Sequence, residues 1–319
     1  MEEHAPANGP ETAITPKPRS TKFPEGVFWG EHGLRAGWRL LLYVFVVTGL
    51  ALVITFVLGQ VAARARGGVT PWPEFLGEAA SLLATVGATW MMSLLEKKPV
   101  GVYGLPTEKG VGKRFFQGSV FGLVEICALI GTIAAFGGYS FGGVTEHGAE
   151  MLRWALFWGA FFLIVGFFEE FFFRGYLLHT LGEGVGFWPA AILLAAVFGA
   201  VHLKNPGEGW PGAAGVFLTG LFWSFTLKRT GSLWFAVGMH AAFDFGETFL
   251  FSVPDSGMEF PGHLSNATLH GAAWLTGGAT GPEASVVDFL ILLLFFFVFD
   301  RLYPARKKEA RNEALDVMN

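Results

Sequence analysis

Two adjacent carboxylates and a guanidinium stand inside Gly166-Phe167-Phe168-Glu169-Glu170-Phe171-Phe172-Phe173-Arg174, the middle of an otherwise apolar run. A charged side chain at bilayer depth costs at least ~2.5 kcal/mol on insertion scales, so ionisable residues there are expected to have a function. On a helix Glu170 and Arg174 are four apart and share a face, whereas Glu169 lies about 100° around the axis. Glu170 can therefore pair with Arg174, and Glu169 is left to face something else. A carboxylate in a low-dielectric site beside a like charge suits a general base working near neutral pH. The bland alternative is a structural ion pair with a spare glutamate. Two more runs supply matching groups. Phe198-Gly199-Ala200-Val201-His202 sets a histidine one turn after an aromatic, and His240-Ala241-Ala242-Phe243-Asp244 sets a histidine and a carboxylate at i, i+4. Each alone fits an interfacial histidine or a buried hydrogen bond. Together they give three helices that each carry catalytic residue types.

The ordered set Glu-Glu-x-x-x-Arg, Phe-x-x-x-His and His-x-x-x-Asp/Asn resembles the CPBP family, also called Abi, of intramembrane endopeptidases that includes the CAAX prenyl proteases. The resemblance covers roughly residues 150-250, and His202-Leu203-Lys204-Asn205-Pro206 and Gly231-Ser232-Leu233-Trp234 are similar to bacterial members. It implies that Glu169 activates a water, that His202 holds or deprotonates it, and that Glu170, Arg174, Phe198 and Asn205 support them. It also implies that His240 and Asp244 bind the oxyanion formed as water adds to the scissile carbonyl, a stabilisation worth a few kcal/mol. Asparagine is common in the family at the last position and donates through its amide, whereas an ionised Asp244 only accepts. Asp244 is thus expected to be protonated, to orient His240, or to ligate a metal with His202, His240 and Glu169. The last option would be a zinc site with an open position for water. Glutamate-dependent and metal-dependent chemistry both stay open.

The elements that must position these residues are apolar helices. Hydrophobic residues make up 52% of the 319, charged residues only 15%, and the 34 phenylalanines outnumber every charged type, so the lipid bilayer is the expected solvent. Leu40 to Ala63 runs without Lys, Arg, Asp or Glu, long enough for the ~20 residues a bilayer requires. Similar runs recur at about 75-95, 115-137, 152-180, 186-203, 211-228, 232-252 and 285-303. The expectation is an all-α, multi-pass bundle of about eight spanning helices. No internal repeat suggests an inverted-repeat transporter.

Orientation follows from Lys and Arg in short loops, which stay cytoplasmic. With the amino terminus inside, cytoplasmic segments hold Lys17, Arg19, Lys22, Arg35 and Arg39, then Lys97, Lys98, Lys109, Lys113 and Arg114, then Lys228 and Arg229, then Arg301, Arg306, Lys307, Lys308 and Arg311. The opposite side holds Arg64, Arg66, Arg153 and Lys204, and the Gly-rich loop 253-284 has no Lys or Arg. Both termini are expected in the cytoplasm, with the chain in the plasma (inner) membrane. A helix running outward from about 186 brings His202 nearer the outer face than the midplane.

The chain divides into a Pro-rich tail, 1-36, expected to be disordered; a transmembrane domain, 37-303, with a protease core at about 150-250; and a basic tail, 304-319. The net charge of -4 offers no field for nucleic acid. Glu78, Glu125 and Glu247 read as lining or structural residues, Cys127 as packing, and His263 and His270 as solvent-facing. The function expected is hydrolysis of a peptide bond in a peptide or membrane-protein substrate. A proton-coupled transporter using the same carboxylates, or a non-catalytic membrane scaffold, is the alternative.

Overall fold

The computed structural model of the chain describes residues 25–30, 33–64, 71–106 and 111–305. Most of the two expected tails, together with Arg66 and Lys109, lies outside the described residues. The described residues form nine helices of eight residues or more. These are α1 (Ala36–Arg64), α2 (Trp72–Glu96), α3 (Val111–Ala135), α4 (Gly148–Glu170), α5 (Leu178–Val185), α6 (Phe187–His202), α7 (Trp210–Thr230), α8 (Trp234–Phe245) and α9 (Val286–Leu302). Their ends follow local chemistry. Proline stands in the first turn of α2 and α7, where its missing N–H costs nothing. Gly231 ends α7 at φ 69°, and the Ser285 hydroxyl caps α9 by accepting from the Asp288 N–H at 3.1 Å.

All eight expected segments are helical. Four are long and apolar enough to cross a membrane: Ala36–Gln60, Trp72–Glu96, Gly112–Ala135 and Gly148–Val185. The others are shorter or more polar; α6 and α9 still turn Ile192, Leu193, Leu290 and Leu293 outward, whereas α8 lies inside the bundle. In α8 residues Phe235 through His240 are all buried, so neighbouring helices take the place of lipid around it. The outer helices instead turn apolar side chains outward, as with Phe45, 77% exposed, and Phe116, 69% exposed. Cys127, expected to pack, is likewise exposed on α3.

Close helix contacts rest on glycine. A Cβ on Gly118 or Gly122 of α3 would run into the backbone of Phe235 or Met239 on α8, and one on Gly238 would strike Phe115. Small residues spaced by four thus let α3 and α8 meet backbone to backbone. Gly166 does the same between α4 and α8, since a Cβ there would lie 3.1 Å from the Ala241 nitrogen.

The helices run between two ends. At one end Arg39 pairs with Glu96 at 2.8 Å and also with Glu183, Lys98 reaches Glu183 at 2.6 Å, and the Leu233 N–H donates to the Gly104 carbonyl at 2.8 Å. At the other end Tyr139–Ser140 pairs antiparallel with Thr268–Leu269. There the Asn205 side chain donates to the Ser256 carbonyl at 2.8 Å, and the Gly207 N–H to the Gly257 carbonyl at 3.0 Å. Residues 136–147, 203–209 and 251–285 therefore gather at one end, and the starts of α1 and α8 with the ends of α2 and α5 at the other. Successive long segments alternate in direction.

Candidate active site

The Glu169-Glu170 pair sits where α4 stops being regular. Residues Phe171–Leu177 form a widened π-type turn, with Gly175 at φ -81°, ψ -110°, outside helical geometry. Such widened turns recur at functional sites because the extra residue re-aims side chains. Here the Arg174 guanidinium still reaches back to donate from Nη1 to Glu170 Oε1 at 2.8 Å, both groups being buried. The guanidinium also lies 4.4 Å from the Phe198 ring centroid and 5.3 Å from that of Trp223, so aromatic faces supply part of what water would have supplied.

His240 joins the carboxylates. Its Nδ1 lies 3.3 Å from Glu170 Oε1, and its Nε2 lies 3.2 Å from Asp244 Oδ2 and 3.7 Å from Glu169 Oε2. Both ring nitrogens thus face carboxylate oxygens, which only accept when ionised. A neutral imidazole has one N–H, so this cluster shares at least one further proton. The ring is stacked on Trp223 at 4.2 Å between centroids and 23° between planes. His202 is fixed separately. Its Nδ1 is 2.8 Å from the Phe198 carbonyl, which can only accept, so Nδ1 carries the proton and Nε2 of the neutral ring is the acceptor. The Phe198 ring meets it edge to face at 4.7 Å.

Glu169, His202, His240 and Asp244 line one cavity of about 290 Å³, walled by Phe198, Trp223 and other apolar side chains. Asn205, Ser256 and Met258 line it as well, so it extends to the end of the molecule where residues 203–209 and 251–285 gather. Glu78 and Glu125 line it too; Glu247 does not but is fully buried nearby in sequence after α8. Beside Asn205, the half-buried Glu208 carboxyl is pushed by burial up to about 7, an effect the Gly209 backbone N–H partly offsets.

Sequence reasoning brought together Glu169, Glu170, Arg174, Phe198, His202, Asn205, His240 and Asp244. It missed Trp223, which shares no spacing with a catalytic residue, and Gly220, whose missing side chain makes room for the Arg174 guanidinium. Among the described residues the trio of candidate ligand atoms lying within 4.8 Å of one another belongs to Glu247, Asp255 and Glu283, not to any three of Glu169, His202, His240 and Asp244. Two histidines directed to separate partners account for this: His202 is anchored on its own helix and His240 on Glu170.

Residues 151–246 match the family model of the Rce1-like type II CAAX prenyl endopeptidases, over the stretch that holds all three motifs. An uncharacterized protein of Bacillus subtilis (strain 168), YyaK, is 28% identical over 180 residues, which is 53% of this chain. The match spans 58% of that relative's own length. The chain thus carries, at residues 151–246, a domain of the Rce1-like type II CAAX prenyl endopeptidase family.

Proposed function

We propose that the protein is an intramembrane endopeptidase that hydrolyses a peptide bond with a water activated by Glu169. The observation that carries this reading is the shared cavity, lined by Glu169, His202, His240 and Asp244 from three separate helices. Water held between the Glu169 carboxylate and His202 Nε2 adds to the scissile carbonyl carbon as Glu169 takes its proton. As the oxyanion forms, the single His240 Nε2–H turns its donation to it from Asp244 Oδ2, 3.2 Å away, while Glu170 at Nδ1 and Trp223 beneath keep the ring in place. Collapse breaks the C–N bond, and the proton on Glu169 passes to the leaving nitrogen. Arg174 holds Glu170 in place at 2.8 Å; it is a positioning residue. Asp244 in this reading orients His240, so a donor at that position is not required, and no metal step is invoked.

The same reading makes the chain an eight-span membrane protein with both termini cytoplasmic. Arg39, Lys98 and Arg229 lie at one end, as the retention of basic residues inside requires. The cavity then extends towards the outer side, and the substrate is a peptide or membrane protein entering from the bilayer or from that side. Single-turnover cleavage in heavy-oxygen water tests the chemistry. The new product carboxylate should carry the label and Glu169 should not. Label appearing in the Glu169 side chain would instead mean a covalent acyl intermediate and would remove the proposal.

A further inference from the structure

Beyond the cavity that holds Glu169, the most unusual feature is a second acidic cluster at the end of the molecule where the three loops gather. Glu247 lies in the widened turn Gly246–Leu250 after α8, Asp255 in the loop that follows, and Glu283 in the short turn Pro282–Ala284 before α9. One oxygen from each comes within 4.8 Å of the others. Glu247 is 0% exposed, yet both of its carboxylate oxygens have no hydrogen-bond partner. Glu283 Oε1 also lacks one, and so does Oδ1 of the buried Asp288. Asp255 has only the Thr248 hydroxyl, at 3.1 Å. No lysine or arginine among the described residues pairs with Glu247, Asp255, Glu283 or Asp288. Glu247 is therefore a carboxyl group taken out of water with no protein group to replace it.

We propose that Glu247, Asp255 and Glu283 form a binding site for a divalent cation of the calcium type. An all-oxygen donor set of three carboxylates suits a hard cation and not zinc or copper, and calcium takes such oxygens at about 2.3–2.6 Å with irregular geometry. The three ligands are far apart in sequence and belong to three segments, so the ion would fasten residues 251–285 to the end of α8. That loop is already tied locally, with the Gly257 N–H donating to the Thr280 carbonyl at 2.7 Å. Since Asp255 and Glu283 also line the wall of the main cavity, the ion would hold in place part of the cavity's outer rim. The site is distinct from the residues assigned to hydrolysis, and it stands whether or not the proteolytic reading does.

The test is thermal unfolding of the detergent-purified full chain, stripped with chelator and then titrated with calcium chloride or magnesium chloride, with calcium binding measured in parallel by calorimetry. The midpoint of the wild type should rise with the logarithm of calcium concentration up to a few millimolar. Magnesium, which demands tighter octahedral geometry, should act at least about tenfold more weakly. Glu247→Gln should lose the calcium response, as should Asp255→Asn and Glu283→Gln, which keep the inference testable if the first variant fails to fold. Three results would overturn it: a wild type indifferent to calcium, variants that respond as the wild type does, or magnesium matching calcium. The first, joined to a Glu247→Gln chain more stable than the wild type without any cation, would mean that these carboxyls are simply held as neutral acids.

Discussion

His240 is held at both nitrogens and on one face, and that grip makes specific demands on its neighbours. Asp244 meets Nε2 at 3.2 Å, so its task is to accept from the ring, and an amide oxygen does this as well. Asp244→Asn should keep cleavage within about tenfold of the wild type, whereas Asp244→Ala, which frees the ring, should cost about 10²–10³-fold in kcat; the two rate constants, measured side by side, decide it. Arg174 is the opposite case, a charge with no substitute. Arg174→Met leaves the buried Glu170 carboxyl without the guanidinium, which should destabilise the fold by about 3–5 kcal/mol in denaturant or thermal unfolding. The double variant Glu170→Gln with Arg174→Met should recover part of that loss, because it removes both charges together.

At the scale of elements, what brings α3, α4 and α8 together is the absence of side chains. Gly122 and Gly238 leave room for only a backbone across the contact, so Gly122→Val or Gly238→Val forces α3 off α8 and should cost about 1–3 kcal/mol or more, read as a lower unfolding midpoint. His240 moves with α8, and the same variants should lose cleavage activity even where they fold. Gly118 and Gly122 stand four apart in an apolar run, but such spacing names a face and never the helix it will meet. Glu170 and Arg174 were legible as a pair because a four-residue separation survives the widened turn between them. The turn itself was not legible, because no residue type demands it. The shortness of α8 was not legible either: a composition scan sees apolar length, and cannot tell lipid from protein as the source of the apolar surroundings.

Across the whole molecule the two ends differ in charge, and this carries the orientation. In a Cys127→Ser background, a membrane-impermeant maleimide should label His263→Cys in intact cells and Lys98→Cys only after lysis; the reverse pattern would invert the topology. The end of the molecule that holds residues 203–209 should also respond to pH. The Glu208 carboxyl, raised to about 7 by burial, binds more protons in the fold than in the unfolded chain. Its contribution is therefore fully present below the ordinary carboxylate range near pH ~4.3 and lost as pH rises to about 7. In cation-free buffer, Glu208→Gln should flatten the fall in unfolding midpoint across that window. The chemistry itself rests on Glu169. Wild type and Glu169→Gln, matched for folded content in proteoliposomes, can be given a farnesylated CAAX peptide and a set of unprenylated single-span peptides, with products read by mass spectrometry. The wild type should cut at a discrete bond, and the variant should be slower by at least about 10²-fold while remaining folded. A Glu169→Gln protein that cuts at the wild-type rate, or a wild type that passes protons without cutting anything, would contradict the account.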